Sequence, residues 1–425
     1  MRSLLPAQQR RLTIATLAGV SIVVLLMPVG YWNIQEDDKY IFYSYAKNLA
    51  NGQSYVFNLG ERFNATTSPL YTLLLALTYT ILRFLPFMTI PLIGHLIGIP
   101  SLFLICVFLM KSFKSERASL FPFVLPLVFL TNTLLPQAIG METFLTMMLA
   151  LMCLCFYVSG RLLAASLTCS FAVLARPDAL LLALVLVSYH FIRYRRLPSI
   201  SMIIVFLLPI AVWVTFSLVY FGDLIPSTLS AKLAQTEAGL WGRGPVFFKR
   251  LLFWCFWRGG SIVGSGIIAA VLLGVVVFVL RYRQWRILRH PVFHLILIWN
   301  LVYLVVYGFI LKAPAYSWYY TPLTLDITLI ITLPVEGLYR FLSNTNTAKK
   351  PSMSDNATSI GIYTSTSWIT SCSITRPGGS LKRWRKKIGS RESMLCKLSS
   401  GRGDGGLVYM KGKAHESDRL GALCS

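Results

Sequence analysis

Two adjacent carboxylates, Asp37 and Asp38, follow the first apolar segment of the chain. Acidic side chains are scarce, since Asp and Glu together number 16 among 425 residues. A carboxylate beside a membrane surface can accept a proton as a general base, or it can bind a cation. On composition alone, a solvated loop pair is an equally reasonable interpretation. Tyr40 begins the aromatic, weakly amphipathic stretch that follows, and we expect this stretch to fold on the membrane face.

Two further charged motifs occur at the ends of apolar segments. Glu142 lies in Gly-Met-Glu-Thr, where it is an acid at the mouth of an apolar segment. Alone, it is better explained as a charge at a helix N-terminus, which is worth about 0.3–1 kcal/mol. Arg176 and Asp178 flank Pro177 between two short apolar stretches. Charges at membrane depth are usually paired or functional, so a structural turn and an anion site explain this motif equally well.

The later part of the chain offers donors and aromatic rings. Asp223 and Ser227 belong to a turn rich in Gly, Asp and Pro that leads to Lys232, and the hydroxyl and ammonium groups could hold a phosphate. Tyr319 and Tyr320 lie in an aromatic run at a span end. Such a run is usually an interfacial belt, but its rings can also stack on sugars or isoprenoid chains.

Composition predicts an all-α, polytopic membrane protein. The chain is 55% hydrophobic and has a mean hydropathy of +0.63. Its net charge of +24 does not indicate nucleic-acid binding, because the basic residues cluster at the ends of apolar segments. We predict about eleven crossings, and they occupy residues 12–31, 69–87, 90–110, 118–136, 143–159, 162–175, 179–192, 199–219, 262–280, 292–311 and 321–342.

The basic loops set the expected orientation. With Arg193–Arg196 and Arg281–Arg289 in the cytoplasm, residues 32–68 form a first external loop that carries short amphipathic helices. The motifs around Glu142, Arg176 and Lys232 then fall on the same outer side. The basic loop 111–117 conflicts with this scheme: either a neighbouring segment is re-entrant, or this loop is an exception.

The composition changes near residue 343. We therefore predict a membrane domain over 1–342 and a low-complexity, basic tail over 343–425. Low hydrophobicity combined with net positive charge favours a disordered tail. The abrupt change also suggests an aberrant reading frame.

The first external loop carries the most specific block of motifs, in which Asp37-Asp38-x-Tyr40 is followed by Tyr-Ala-Lys-Asn-Leu over 45–49 and by Thr-Ser-Pro-Leu-Tyr over 67–71. This block and the later motifs resemble the GT-C membrane glycosyltransferases, and the similarity covers roughly residues 10–342. Gly-Met-Glu-Thr at 140–143, Arg-Pro-Asp at 176–178 and the motifs at 222–232 and 319–322 follow in the family order. Within the family, the sequence looks most like the branch of the mycobacterial terminal arabinofuranosyltransferases and related bacterial enzymes.

The resemblance implies an inverting transfer of a sugar from a polyprenyl-phosphate donor to a cell-envelope glycan or lipid acceptor, on the outer face of the cytoplasmic membrane. An inverting transfer needs a base for the acceptor hydroxyl and cationic or hydrogen-bonding groups for the departing phosphate. Asp37 or Asp38 is the expected base and Glu142 the second acid. The expected substrate-binding residues are Tyr40, Arg176, Asp178, Asp223, Ser227, Lys232, Tyr319 and Tyr320.

Several alternatives stay open at this point. No cofactor is certain from the sequence, and the acids could either bind a divalent cation or act as bases. Related sequences tend to carry Arg at the position of Ser44, and they usually continue into an external α/β domain that the tail does not resemble. The chain could therefore be an inactive, truncated relative. A lipid-linked saccharide flippase is the alternative from another class, although it would spread charged residues through the interiors of its spans.

Overall fold

The computed structural model describes residues 6–31, 36–114, 119–224, 226–239, 246–253, 260–348, 382–388, 391–397 and 407–410. The chain divides into two compact units, Met1–Pro351 and Ser352–Ser425. The described part of the first unit contains α1 (Pro6–Tyr31), α2 (Asp38–Ala50), α3 (Pro69–Leu82), α4 (Ile90–Phe113), α5 (Phe121–Leu130), α6 (Thr143–Val158), α7 (Leu162–Ala175), α8 (Leu180–Tyr194), α9 (Ile200–Phe221), α10 (Ser227–Glu237), α11 (Val246–Leu252), α12 (Ser261–Arg281), α13 (Pro291–Val305) and α14 (Thr324–Ala348).

The prediction of an all-α, polytopic membrane fold is confirmed for this unit. Each of the eleven predicted spans coincides with a helix. Among the described residues, six helical segments are long and apolar enough to cross a membrane, and they are Pro6–Val29, Ile90–Phe113, Pro177–Tyr194, Ile200–Phe221, Ile262–Arg281 and Pro291–Ile310. The predicted spans that match α3, α5, α6 and α7 are shorter apolar helices. The protein is therefore a multi-pass membrane protein.

Helix α6 lies at the centre of the bundle, packed against α4 and α7. Its side chains Phe144, Met147 and Leu151 are almost completely buried. By contrast, only 6% of the most apolar window of α9 and 11% of that of α12 are buried. The exposed surfaces of these two helices are apolar and carry no polar face that would contact water. Such surfaces are typical of helices in contact with lipid.

A buried acid anchors the last helix of the bundle. Glu336 on α14 accepts hydrogen bonds from the backbone N–H groups of Leu120 and Phe121, each at 3.0 Å. Its other oxygen accepts from Arg340 Nε at 2.5 Å. The carboxylate thus satisfies N–H groups at the start of α5 that have no partner within their own helix.

Within the predicted external loop, α2 confirms the expected amphipathic helix. Phe42 and Ala46 pack against Tyr71 and Leu75 of α3, while Lys47 is exposed. The chain beyond α2 is also held by α2, because the Tyr45 hydroxyl accepts from the backbone N–H of residue 65 at 2.9 Å. The loop therefore has a fixed structure on which chemistry can be placed.

The described residues of the second unit form strands where the composition predicts disorder. Strands β1 (Lys382–Ile388), β2 (Arg391–Lys397) and β3 (Leu407–Met410) make an antiparallel sheet in the order β1-β2-β3. Trp384 pairs with Leu395, and Leu395 pairs with Tyr409. Aromatic residues such as Trp384 and Tyr409 favour strands. Net charge and mean hydropathy describe a whole segment, so they do not predict such local pairing.

Candidate functional site

The two adjacent aspartates begin α2 in different roles. Asp37 is the N-cap of α2, and its Oδ1 accepts from the backbone N–H of Asp38 at 3.1 Å. Asp is favoured at this position because its carboxylate satisfies a free helix N–H. Asp38 is the first helical residue, and its Oδ2 lies 2.8 Å from Nζ of Lys232. The pair is thus split into a capping residue and a residue that meets a cation.

Helix α10 brings Lys232 to this position because its first turn is hydrogen-bonded to the first loop. The backbone N–H of Ser227 donates to the carbonyl of Asn64 at 2.8 Å, and the Ser227 hydroxyl donates to the same oxygen at 3.0 Å. Thr228 Oγ1 donates to the carbonyl of Ala65 at 2.9 Å. Ser227, predicted to bind substrate, is placed by the structure as a residue that docks α10.

A second cluster forms around Arg176, which lies between α7 and α8. Its Nη1 is 2.9 Å from Glu142 Oε1, and its Nη2 is 2.6 Å from Asp178 Oδ2. Its Nε also donates to both oxygens of Asp178, at 3.2 and 3.1 Å. The three side chains are only 7%, 6% and 12% exposed. Asp178 additionally accepts from the Tyr307 hydroxyl at 2.7 Å, so both acids belong to one buried network.

An aromatic turn lies between the two clusters. The ring centroid of Tyr319 is 5.7 Å from the guanidinium carbon of Arg176 and 5.6 Å from Nζ of Lys232. Tyr316 adds a second ring 5.5 Å from the same ammonium. Cations are attracted to the faces of aromatic rings, so Tyr319 links the Arg176 network to the Asp38–Lys232 pair. Four of the residues singled out in the sequence, Asp38, Glu142, Arg176 and Lys232, are thus connected through Tyr319 in one set of contacts.

Gly140 fixes the first loop against the start of α6. Its carbonyl accepts hydrogen bonds from the hydroxyls of Tyr43 at 2.8 Å and Tyr71 at 2.6 Å. Its φ is +81°, and a Cβ built there would lie 2.5 Å from the Tyr43 hydroxyl oxygen. Only glycine fits this contact, which sets the position of α2 relative to Glu142 two residues further along.

Burial and neighbouring charges perturb several of these groups. Burial raises the pKa of Glu142 above its ordinary value, although the Arg176 guanidinium opposes that change. Burial disfavours the charged form of Lys232, but Tyr319 and Asp38 outweigh it and raise the Lys232 pKa. Lys232 is therefore a cation across the physiological range. Among the residues that the structure describes, Oε2 of Glu142 is buried without a hydrogen-bond partner.

Three other predicted site residues have different surroundings. Tyr40 is 39% exposed, and its ring meets the edge of Tyr43 at 5.5 Å. Asp223 has an exposed side chain in the turn after α9. Tyr320 is completely buried, and its hydroxyl donates to the carbonyl of Phe247 at 3.0 Å. This hydrogen bond connects the turn that carries Tyr320 to α11, so the Tyr320 hydroxyl makes a structural contact.

Two residues of this region, Tyr307 and Lys39, are not among those predicted from the sequence. Tyr307, which bonds Asp178, lies in the π-helical segment Val306–Ile310 at the end of α13. Single π-helical turns occur frequently at functional sites, but hydrophobic periodicity gives no signal for them. Lys39 is 96% buried beside Asp38. A buried lysine is unusual in a protein, but its burial depends on the packing of α2 and gives no signal in the sequence.

The described residues offer no ready metal site. Across the described ranges, no group of three His, Cys, Asp or Glu side chains could hold a metal ion. The acids of the region contact cations of the protein: Asp38 meets Lys232, and Glu142 and Asp178 meet Arg176. A divalent cation stays a prediction for these acids.

The helical bundle has a counterpart among solved structures. The crystal structure of ArnT from Cupriavidus metallidurans bound to undecaprenyl phosphate superimposes with a TM-score of 0.55 and covers 79% of this chain. ArnT is a GT-C glycosyltransferase. The chain has the GT-C fold. At 13% sequence identity this similarity shows the fold alone, and the chain spans 63% of the length of ArnT.

The other comparisons bring no closer relative. No family model matches the chain, and no curated protein matches it. The structural similarity supports the GT-C fold and not the narrower resemblance to the arabinofuranosyltransferase branch.

Proposed function

We propose that the chain is a membrane glycosyltransferase that moves a sugar from a polyprenyl-phosphate donor to a glycan or lipid acceptor of the bacterial cell envelope, with inversion. The observation that carries the proposal is the Asp38–Lys232 pair beside the Arg176 network in a GT-C fold. An inverting transfer from a phosphate leaving group requires a base for the acceptor hydroxyl and a cation for the phosphate, and Asp38 and Lys232 supply these two groups. We place the site on the outer face of the cytoplasmic membrane, as the basic loops predict.

In this mechanism Asp38 is the catalytic base and Lys232 binds the phosphate. The acceptor hydroxyl gives its proton to the Asp38 carboxylate while its oxygen bonds to the anomeric carbon of the sugar. The bond between that carbon and the phosphate oxygen breaks, and polyprenyl phosphate leaves with the electron pair. The ammonium of Lys232 stabilises the negative charge that develops on the leaving phosphate.

The Arg176 network holds the second acid beside the pair. Arg176 fixes Glu142 through Oε1, which leaves the buried Oε2 able to accept a hydrogen bond. A buried carboxylate oxygen without a donor costs free energy, so an acceptor hydroxyl that donates to it would be bound favourably. We assign Glu142 the task of orienting the acceptor and Arg176 and Asp178 that of positioning Glu142.

An apolar cavity beside the pair suits the lipid part of the donor. It has a volume of about 390 Å³ and is lined by Ile41, Phe57, Phe63, Ala65, Ser227, Thr228 and Ala231. Ile41 lies one helical turn beyond Asp38, and Ala231 precedes Lys232. The first isoprene units can bury there, at a gain of about 0.8 kcal/mol for each buried methylene group.

The test is transfer from a panel of polyprenyl-phosphate sugars in membranes that contain the full chain. We expect transfer by the wild type and a loss of about 100-fold or more for Asp38→Asn, since a general base contributes roughly 10²–10⁴ to the rate. Asp37→Asn preserves a good helix cap, so its loss is expected to be at least tenfold smaller. Equal losses for the two variants would refute Asp38 as the base. No transfer with any donor would refute the enzyme and favour an inactive relative or a flippase.

A further inference from the structure

The two cations of the site differ in how far a ligand can reach them. Each of the three guanidinium nitrogens of Arg176 already donates to an acid, and its side chain is only 7% exposed. Lys232 has a side chain that is 22% exposed, and it meets one acid, Asp38, which is 20% exposed. An incoming anion can therefore reach Lys232 far more easily than Arg176.

The contact that a phosphate would make with Lys232 is occupied by Asp38. The Asp38 carboxylate oxygen lies 2.8 Å from Nζ of Lys232, and it accepts a strong charge-assisted hydrogen bond there. The rings of Tyr316 and Tyr319 also lie against this ammonium, with centroids 5.5 and 5.6 Å away. The rings hold the ammonium in place, so an arriving phosphate competes with Asp38 for it.

We propose that the donor phosphate displaces Asp38 from Lys232, so that donor binding releases the base for the acceptor. This inference rests on the proposed function and adds an order to it, in which the donor binds before proton transfer can occur. While Asp38 Oδ2 lies 2.8 Å from the ammonium of Lys232, that oxygen is engaged in a charge-assisted hydrogen bond, and its release frees the oxygen to accept the proton of the acceptor hydroxyl. Without a donor, this carboxylate oxygen stays bound to Lys232.

The exchange predicts an unusual separation of binding and catalysis. Asp38→Asn removes the internal competitor of the phosphate, so the variant should bind polyprenyl phosphate more tightly while its transfer is lost. Because the pair is partly exposed, we expect the affinity to rise by about threefold to tenfold. Lys232→Met should weaken binding by at least about tenfold, since the charged partner of the phosphate is gone.

The experiment measures binding of undecaprenyl phosphate to the solubilised full chain. Glu61→Gln is the matched control for Asp38→Asn, because it removes one negative charge from an exposed position of the same loop. Lys47→Met is the corresponding control for Lys232→Met, since Lys47 is exposed on α2. Both controls should bind within twofold of the wild type. If Asp38→Asn does not fold, Asp38→Ala provides a second neutral side chain.

The outcomes separate the two proposals. Tighter binding by the neutral Asp38 variant, with weaker binding by Lys232→Met, supports the exchange. Wild-type binding that Lys232→Met weakens but the neutral Asp38 variant does not tighten overturns the exchange and leaves the proposed donor intact. Absence of binding by the wild type overturns the donor class itself, and the exchange with it.

Discussion

Removing Arg176 tests the energetics of the buried network most directly. Arg176→Met keeps the approximate size of the side chain but leaves Glu142 and Asp178 buried without a positive partner. Two unit charges about 4 Å apart attract by roughly 4 kcal/mol at an effective dielectric constant of about 20, a value that also describes buried sites. Breaking a buried pair by removing one partner costs about 3–5 kcal/mol in practice. We expect the free energy of unfolding to fall by that amount.

The assay is thermal unfolding of the solubilised full chain. At roughly 2 °C per kcal/mol for a chain of this size, Tm should fall by about 6–10 °C. Arg161→Met is the control, because Arg161 is exposed before α7 and its loss leaves no buried acid. Adding Glu142→Gln to Arg176→Met should recover part of the loss, since one uncompensated charge disappears. A Tm for Arg176→Met within about 2 °C of the wild type would refute the buried network.

The same variant should respond to pH in a defined direction. Burial raises the pKa of Glu142 in the folded state. When the pKa of a carboxyl group is higher in the folded state than in the unfolded state, the group favours folding most at pH values below its pKa in the unfolded state. Its contribution to stability is lost as the pH rises through its pKa in the folded state. Without Arg176 the largest influence that opposes burial is gone, so the Tm deficit of Arg176→Met should be larger at about pH 8 than at about pH 5. An equal deficit at both pH values would contradict this explanation.

Two further substitutions test the positioning of the site. In thermal unfolding, Gly140→Ala should lower stability by about 1–3 kcal/mol more than Gly160→Ala. Both glycines have a positive φ, but only at Gly140 does the added Cβ lie 2.5 Å from the Tyr43 hydroxyl oxygen. Equal losses of stability would mean that backbone strain alone matters. Tyr307→Phe should remove the 2.7 Å hydrogen bond to Asp178 and cost about 1–2 kcal/mol. A transfer assay should show a lower kcat for this variant with little change in the donor KM, and wild-type kinetics would exclude a positioning role for Tyr307.

The fold could be predicted from the sequence to a large extent. Apolar length alone located all eleven predicted spans on helices, because a membrane span needs a long run of apolar residues whatever its neighbours are. Hydropathy could not give the exact lengths, since prolines and polar turns end several helices early. Helix α5 ends at Leu130, just before Thr131 and Asn132, and α7 ends at Ala175, just before the Arg176-Pro177 turn.

The candidate site was predicted in its composition but not in its connections. The basic loops and the order of the motifs predicted that Asp38, Glu142, Arg176 and Lys232 lie on one side of the membrane. Sequence-based prediction could not pair Asp38 with Lys232, because 194 residues separate them and only the docking of α10 on the first loop brings them together. It also missed Tyr307, whose position depends on a local π-helical turn.

The sequence by itself determined that the chain is a helical membrane protein with scarce acids next to its spans. Those properties follow from residue types and from apolar length, which act locally. Only the tertiary structure decided that the two adjacent aspartates make different contacts. Asp37 caps α2 and Asp38 meets Lys232, because α10 approaches α2 from the side on which the Asp38 carboxylate lies. Such a choice depends on distances between segments that are far apart in the sequence, and a linear pattern contains no record of them.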